Sequence, residues 1–360
     1  MAGNRSRRSK KHRVTIDDIA RHLNLSKATV SLALNNSPLV AEETKRRVLE
    51  AADEFGYRPN YFGARLSRGK SDMIGLYILG GSEKQCNWTL PSSWMFYHPI
   101  LQAVSEELSQ RGYRFNLEVV SVEQVTKQGV ISSVIQERSL DGMLLVVQDD
   151  IDYSFLQIVE ERQFPFVVLN AKVAESISSV KIDNELGARK AVRHLVELGH
   201  RTIAHLSGPE KDLNAIERRL GFQHAAREAG LDWNPSLLHY GDWKRESGWR
   251  AAREFLQLEP RPTAVFCAND HMAVGVMQAL QEAGLRIPQD VSLIGYDDTE
   301  LCQVVVPRLT TVRQPVDLMG KLGADAVLHQ IESESPQATH TNLEPELIVR
   351  DSTAYAGSRS

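Results

Sequence analysis

The chain has 360 residues and a formal net charge of −4. This length is too great for one typical domain and allows a large buried core. No apolar run approaches the roughly 20 residues that a membrane helix needs. The cysteines Cys86, Cys267 and Cys302 are scattered and fit neither a disulfide framework nor a zinc site. We therefore expect a cytoplasmic protein in a reducing environment, without metal or cofactor.

Charge is distributed unevenly along the chain. Residues 1–70 hold 15 Lys and Arg against 7 Asp and Glu, whereas the remainder holds 27 basic and 39 acidic residues. A basic head on an acidic body suits the phosphate backbone of a nucleic acid. Residues 1–13 carry six basic side chains and no acid. This segment is expected to be a disordered arm, which either stays solvated or contacts phosphates.

The segment from Thr15 to Asn35 predicts two short helices joined by a tight turn. Thr15 is a suitable N-cap, and the apolar residues that follow it recur at helical spacing. Ser26 caps the second helix, which turns Lys27, Ala28, Ser31 and Leu32 away from its buried side. A helix placed in this way presents its first residues to a DNA major groove. The alternative is a three-helix bundle that binds nothing, and the positive charge argues against it.

A third amphipathic helix is predicted from Ala41 to Phe55, ending at Gly56. Its apolar spacing indicates that Val48, Leu49, Ala52 and Phe55 point inward.

Beyond residue 70 the pattern changes to an alternation of apolar strands and amphipathic helices. Continuous apolar strands between helices indicate parallel sheets that are covered on both faces. The number of units exceeds one doubly wound sheet, so two lobes are predicted. The predicted strands are residues 73–79, 142–147, 166–169, 203–206, 264–268 and 291–295, and the predicted helices are residues 99–111, 186–198, 215–229, 247–256 and 272–283.

Enzyme motifs are absent from the sequence. There is no Walker-type phosphate loop, no nucleophile elbow and no histidine cluster with metal-ligand spacing. Two other classes remain as alternatives: a small-molecule (sugar) binding protein, or a sugar-active enzyme with an accessory DNA-binding head. A periplasmic binding protein would share the two lobes but would need a signal peptide.

Motifs spread along nearly the whole chain carry a family resemblance. They are residues 14–20, 26–31, 35, 56–60, 194–200, 218, 221–222, 268–270, 294–298 and 309–311. Through them the sequence resembles the lactose-repressor (LacI/GalR) family of bacterial transcription regulators. The resemblance implies an all-α helix–turn–helix head and an α/β core of two doubly wound parallel-sheet lobes, like type I periplasmic binding proteins. It also implies a homodimer on palindromic operator DNA, controlled by a small effector, a sugar or sugar derivative, in the cleft between the lobes.

The resemblance places base contacts on Lys27, Ala28 and Leu32. Lys27 can donate to a guanine edge, and Ala28 can pack on a thymine methyl group. Leu32 stands where the family often has arginine, so the head either reads a different half-site or keeps only an apolar contact there. Phosphate contacts are implied for Thr15, Ser26, Thr29, Ser31 and Asn35.

Residues 60–67 resemble the family's hinge helix. About two turns long and containing Gly63, it should melt without DNA. Leu66 would enter a central base step as an apolar wedge, and Asn60 begins the segment as a further DNA-contacting position. A plain linker with Leu66 in the core is the alternative.

The resemblance also implies a set of effector-binding residues with flat aromatic faces and directional polar groups. Asn170 replaces a frequent aspartate of the family. Residues 80–94 form an insertion near the cleft that either shapes ligand choice or covers surface. The effector residues are Phe96, Tyr97, Asn170, Asn214, Arg218, Trp243, Asn269 and Asp297.

The expected domain organisation has five parts. They are an arm (1–13), a helix–turn–helix domain (14–59), a hinge (60–70), a two-lobed core (71–352) and a tail (353–360). Within the core, lobe 1 is expected to comprise residues 71–170 and 301–330, and lobe 2 residues 171–300 and 331–352. The short polar tail predicts a dimer, because it lacks the heptads of a terminal helix bundle.

Overall fold

The structure is a computed structural model that describes residues 14–34, 36–57, 70–80, 91–126, 129–147, 154–231 and 234–357. It divides into two compact units between Asp72 and Met73, here called the head and the core. No helix within these ranges is long and apolar enough to cross a membrane.

The described part of the head is helical and contains the predicted helix–turn–helix. Asn24 ends the first helix in the left-handed conformation (φ 53°), which asparagine tolerates better than most residues. Its amide N–H points back to the carbonyls of Ala20 and Arg21, and Ser26 then starts the second helix. The helices are α1 (Ile16–Leu23), α2 (Lys27–Leu34) and α3 (Glu42–Glu54).

The head has a small apolar core of its own, to which Val48 and Ala52 contribute as predicted. The prediction was wrong for two other residues of this segment, because Leu49 is 54% and Phe55 36% exposed. Lys45 is instead one of the buried residues of α3. Its aliphatic stem is buried while its ammonium group reaches the Glu42 carboxylate at 2.6 Å.

The core contains two six-stranded sheets. Its strands are β1 (Met73–Gly80), β2 (Arg114–Ser121), β3 (Gly142–Val147), β4 (Phe166–Leu169), β5 (Ser179–Ile182), β6 (Ile203–Ser207), β7 (Leu238–Tyr240), β8 (Ala264–Cys267), β9 (Ser292–Asp297), β10 (Thr310–Arg313), β11 (His340–Leu343) and β12 (Glu346–Ile348). The first sheet has the order β11-β5-β4-β3-β1-β2, and its strands are all parallel. The second has the order β12-β10-β9-β8-β6-β7, in which only β12 is antiparallel to its neighbour.

Helices cover both faces of each sheet. In β1, Ile74, Leu76 and Ile78 pack against one helical layer, whereas Tyr77 and Leu79 pack against the other. This alternation explains why the strands read as continuous apolar runs, and it confirms the predicted α/β fold class. The core helices are α4 (Pro91–Gln110), α5 (Val122–Thr126), α6 (Val130–Glu137), α7 (Phe155–Glu161), α8 (Asn184–Glu197), α9 (Leu213–Glu228), α10 (Arg245–Phe255), α11 (Asp270–Glu282), α12 (Leu301–Val304) and α13 (Val316–Glu332), with a 3-10 turn at Pro235–Leu237.

The sheets correct the expected lobe boundaries. β5 belongs to the first sheet, so the chain leaves lobe 1 at residue 183 and not at 170. β10 belongs to the second sheet and β11 to the first, which moves the later crossovers to residues 314–315 and 344–345. β5 and β10 escaped sequence reasoning because their buried positions are occupied partly by serine and threonine.

Candidate nucleic-acid interface and ligand cavity

The second helix of the head exposes the side chains that were predicted to read base edges. Lys27, Ala28 and Leu32 are all exposed, whereas Val30 and Ala33 face the head's core. Lys27 is the one ionisable side chain in α2, and its ammonium group lies 3.0 Å from a carboxylate oxygen of Asp17 in α1.

The predicted phosphate-contacting residues cluster at the starts of these helices. The Thr15 hydroxyl donates to the Asp18 carboxylate at 2.8 Å. Ser26 Oγ accepts the Thr29 amide at 3.0 Å, and the two hydroxyls lie 2.8 Å apart. Ser31 is half-buried in α2. Asn35, Asn60 and Leu66, like the arm and the hinge segment, lie outside the described residues.

A cavity of about 470 Å³ lies between the two lobes. Lobe 1 contributes the start of α4, including Phe96 and His98. Lobe 2 contributes Asp297 at the end of β9 and Thr299 just after it, and Gln314 after β10 lies at the crossover. The cavity is therefore at the carboxyl ends of strands, where open α/β sheets bind ligands.

Arg218 organises the buried polar groups of lobe 2 in this region. Its Nε donates to Asn184 Oδ1 at 2.8 Å, and its Nη1 donates to the carbonyl of Ala268. The same Nη1 lies 3.5 Å from Asp297 Oδ1. The guanidinium also stacks on Tyr296, with Cζ 3.8 Å from the ring centroid. Two predicted effector residues, Arg218 and Asp297, are thus in contact.

Asp297 combines an unusual backbone with an unusual electrostatic environment. Its φ of 112° is outside the regions that L-residues favour, so the surrounding contacts must hold it there. Burial raises the pKa of this carboxyl group, the Arg218 guanidinium opposes that shift, and the nearby charge of Asp270 adds to it. Gln314 Nε2 donates to Asp297 Oδ1 at 2.7 Å. A carboxylate held in this way is a directional acceptor.

Trp243 and Asn269 are joined by a hydrogen bond from Asn269 Nδ2 to the Trp243 carbonyl at 3.0 Å. Asn269 Oδ1 caps α11 by accepting the Met272 amide. The Trp243 indole packs against Gly208, where a Cβ atom would come within 2.2 Å of the ring. Arg218 Cζ is 5.6 Å from that ring. The half-buried indole lies near Arg218, but it is not among the residues that line the cavity.

Of the eight predicted effector residues, Phe96 and Asp297 line the cavity, and the other six are not among its lining residues. Asn214 accepts a hydrogen bond from Asn184 at 3.0 Å and reaches Arg218 only through it. Asn170, in lobe 1, donates to the Val147 carbonyl at 3.3 Å. Tyr97 is buried in the lobe 1 core, with its ring centroid 5.2 Å from that of Phe96, and Phe96 lines the cavity.

Sequence reasoning missed Asn184, Tyr296 and Gln314. Asn184 bridges Arg218 to Asn214 and Glu217, and Gln314 fixes the Asp297 carboxylate. Asn184 and Gln314 each lie one or two residues beyond a short strand, β5 or β10. The rule that polar residues after strands line ligand sites would have found both, had those strands been recognised.

No cluster of three or more His, Cys, Asp or Glu side chains placed to hold a metal ion occurs among the described residues. A helix–turn–helix head joined to a two-lobed core with an interlobe cavity defines the class of ligand-responsive DNA-binding proteins.

Comparison with known proteins identifies the family within this class. Residues 15–60 match the model of bacterial regulatory proteins of the lacI family, and residues 192–353 match a periplasmic binding protein-like domain. The chain is 34% identical over 340 residues to the probable HTH-type transcriptional repressor ExuR of Bacillus subtilis (strain 168), covering 94% of this chain and 98% of that protein. It is also 34% identical over 342 residues to the HTH-type transcriptional repressor PurR of Shigella sonnei (strain Ss046), covering 94% and 97%.

Comparison with solved structures indicates the same family. The lac repressor dimer bound to operator and the anti-inducer ONPF matches with a TM-score of 0.81 and 28% identity, covering 95% of this chain and 99% of that one. The complex of the transcriptional regulator CelR with cellobiose matches with a TM-score of 0.69 and 32% identity, covering 94% and 100%. The chain belongs to the LacI family of bacterial transcriptional repressors. As predicted, it is a regulator and not an enzyme.

Proposed function

We propose that this repressor binds a two-fold symmetric operator as a homodimer, and that a carbohydrate-like effector in the interlobe cavity changes its affinity for that operator. The observation that carries the proposal is the pairing of Arg218 with Asp297, which lines a cavity between the two lobes. The same chain exposes Lys27, Ala28 and Leu32 on α2, here called the reading helix, where they can contact DNA bases. A ligand that contacts both lobes favours one lobe arrangement, and it shifts operator binding by its differential affinity for the two arrangements.

The polar groups of the cavity region support a hydroxyl-rich ligand. Gln314 Oε1, on a residue that lines the cavity, and Asn170 Oδ1, just after β4 in lobe 1, are buried acceptors that receive no hydrogen bond from any described residue. A sugar hydroxyl can donate to such an atom, and an unsatisfied buried acceptor is costly. Asp297 can accept a second hydroxyl. Phe96, which lines the cavity, can pack on the apolar side of a sugar ring. The relative solved with cellobiose is consistent with this class.

The homodimer is supported by an exposed apolar patch at one end of lobe 2. Val304 is 65% and Val306 81% exposed, close together at the end of α12. A second copy would cover these side chains. Two-fold symmetry in the protein would then match two operator half-sites. Because its target is the bacterial chromosome, we place this dimer in the cytoplasm.

The test is selection of bound sequences from random duplex DNA by the full-length protein. The selection is repeated in the presence of single neutral sugars, sugar acids and nucleobases. We expect a symmetric site that is enriched or lost when one carbohydrate is added. No preference for any symmetric site over scrambled DNA, with or without these compounds, would overturn the proposal. A response to a nucleobase alone would refute the carbohydrate assignment.

A further inference from the structure

An ion pair between the first two helices involves Lys27, one of the exposed residues of α2 that are predicted to contact DNA bases. Asp17, in the first turn of α1, and Lys27, the first residue of α2, are ten residues apart in sequence. Their charged atoms are 3.0 Å apart, and the two side chains are 55% and 66% exposed. The carboxylate is therefore at the exposed edge from which Lys27 would enter a DNA groove.

The neighbouring acid, Asp18, has a different and local role. Its carboxylate accepts from the backbone amide and the hydroxyl of Thr15, and it pairs with Arg21 one turn later. Asp18 thus completes the start of α1. These contacts leave Asp17 without a part in that cap, and its side chain reaches to the next helix instead.

A Lys–Asp pair is complementary to the major-groove edge of one base pair. An ammonium group only donates hydrogen bonds, and an ionised carboxylate only accepts them. A G·C pair presents two acceptors, guanine N7 and O6, beside one donor, the cytosine N4 amino group. Lys27 matches the guanine acceptors, and Asp17, held next to it, matches the cytosine amino group.

We propose that Asp17 is a specificity-determining residue that reads, together with Lys27, a single G·C base pair in each operator half-site. This inference rests on the proposed function, since it refines how the same head recognises its operator. It assigns a base-reading role to a residue of α1 in addition to those of α2.

The pair also limits binding to the wrong DNA. Lys27 is the one cation of the reading helix, and a carboxylate at 3.0 Å offsets its attraction to phosphates. At a matched G·C pair both charges find partners. At a mismatched pair or on the backbone, the carboxylate faces acceptors or phosphates and is repelled. Removal of Asp17 should therefore have two effects: weaker discrimination between G·C and other base pairs at this position, and stronger binding to non-specific DNA.

The experiment compares full-length wild type, Asp17→Ala and Asp53→Ala. Asp53 is an exposed acid near the end of α3, so its removal changes the charge of the head equally without touching the Asp17–Lys27 pair. Each protein selects sites from random duplexes, and its affinities for the selected and a scrambled duplex are measured at several salt concentrations. Thermal unfolding of each variant shows that the head is folded.

We expect wild type and Asp53→Ala to require G·C at one position of each half-site. Asp17→Ala should relax that position, with a loss of about tenfold in specific over non-specific affinity. The inference is overturned if Asp17→Ala keeps the wild-type base preference, even if its non-specific affinity rises, because the carboxylate would then act through charge alone. If the wild type selects no symmetric site, the proposed function itself fails.

Discussion

Nη1 of Arg218, on α9, lies 3.5 Å from Oδ1 of Asp297 at the end of β9, and both side chains are largely enclosed by protein. This pair joins a helix to the strand end where the chain approaches its second crossover between lobes. Because Gln314, just before α13, donates to the same Asp297 oxygen, the pair is connected to the segment that links the lobes. A ligand that touches this pair can therefore influence how the lobes are arranged.

Replacement of Arg218 by methionine should destabilise the core strongly. Asp297 would lose its cation, and Asn184 Oδ1 and the Ala268 carbonyl would lose their donor. Breaking a buried ion pair on one side costs about 3–5 kcal/mol. We expect a reduction of this size in the free energy of unfolding, measured by urea denaturation.

Two further variants separate this effect from a general loss of charge. The double variant Arg218→Met, Asp297→Asn should recover part of the loss, because no unpaired carboxylate remains. Arg308→Met breaks a solvent-exposed pair with Asp351 and should leave the unfolding curve unchanged. Equal losses in Arg218→Met and Arg308→Met would contradict the assigned role of the buried pair.

His205 should make the protein less stable in acid. The ring is stacked between Phe222 and Phe266, with centroids 4.8 and 4.9 Å away, and burial lowers its pKa to about 3. The unfolded chain therefore binds a proton below pH 6.5 that the folded protein does not bind. Stability is full above pH 6.5, and this histidine reduces it by about 1.4 kcal/mol for each unit that the pH falls toward 3.

The measurement is urea unfolding at pH 7.5 and pH 5.0. We expect the difference between the two pH values to shrink by about 2 kcal/mol in His205→Phe, which keeps the aromatic stack but cannot be protonated. A constant packing cost cancels in this difference. His329→Phe, at an exposed position on α13, is the matched control. The prediction fails if both variants keep the pH dependence of the wild type.

Gly208→Ala should weaken effector binding without changing operator affinity in the absence of effector. The new methyl group would come 2.2 Å from the Trp243 indole, which must move. The indole would then leave its place near Arg218 and its hydrogen bond to Asp212. We expect effector binding to weaken while operator affinity without effector is retained, as measured by DNA-binding titrations with and without effector.

A second substitution tests whether the indole is the cause. The smaller ring in Gly208→Ala, Trp243→Phe should relieve the clash, so the double variant should be more stable to heat than Gly208→Ala alone. If Gly208→Ala responds to effector like the wild type, the indole is not part of the ligand site.

The sequence predicted most strands and helices of the core, but α4 begins at Pro91 and not at residue 99, and α13 was not predicted. Several other helices begin two residues earlier than expected. Three helices that were expected to begin at residues 186, 215 and 272 begin at Asn184, Leu213 and Asp270. Apolar periodicity marks only the part of a helix that packs on the sheet. The actual starts are set by the capping side chains of Asp183, Asp212 and Asn269, which accept backbone amides of the first turn.

The eight effector residues stay a prediction. Two of them, Arg218 and Asp297, match family motifs, and the structure brings these two together. Asn184 and Gln314 were missed because the short strands that precede them, β5 and β10, were not recognised in the sequence. The burial of Tyr97 beside a more accessible Phe96 depends on the packing of α4, which sequence spacing alone does not determine.

Charged substitutions at Val304 and Val306 should separate the proposed dimer. A glutamate at both positions would place two carboxylates in each copy's half of the interface, and the desolvation of unpaired charge opposes association. We expect a monomer in sedimentation experiments, with weaker operator binding and unchanged effector binding. Val349→Glu, at a valine of the same lobe that is 56% exposed, should remain dimeric. A double variant that stays dimeric would place the interface elsewhere.

Leu32→Arg should give the head a new base preference. Leu32 is 38% exposed on the face of α2 that carries Lys27 and Ala28, and an arginine there can donate two hydrogen bonds to guanine N7 and O6. We expect the selected half-site to acquire one additional guanine, preferred by about tenfold or more. Leu39→Arg is the matched control, since Leu39 is 83% exposed on the head but outside α2. It should raise affinity for all duplexes without altering the selected sequence. Identical selected sites for the two arginine variants would show that position 32 does not face the base edges.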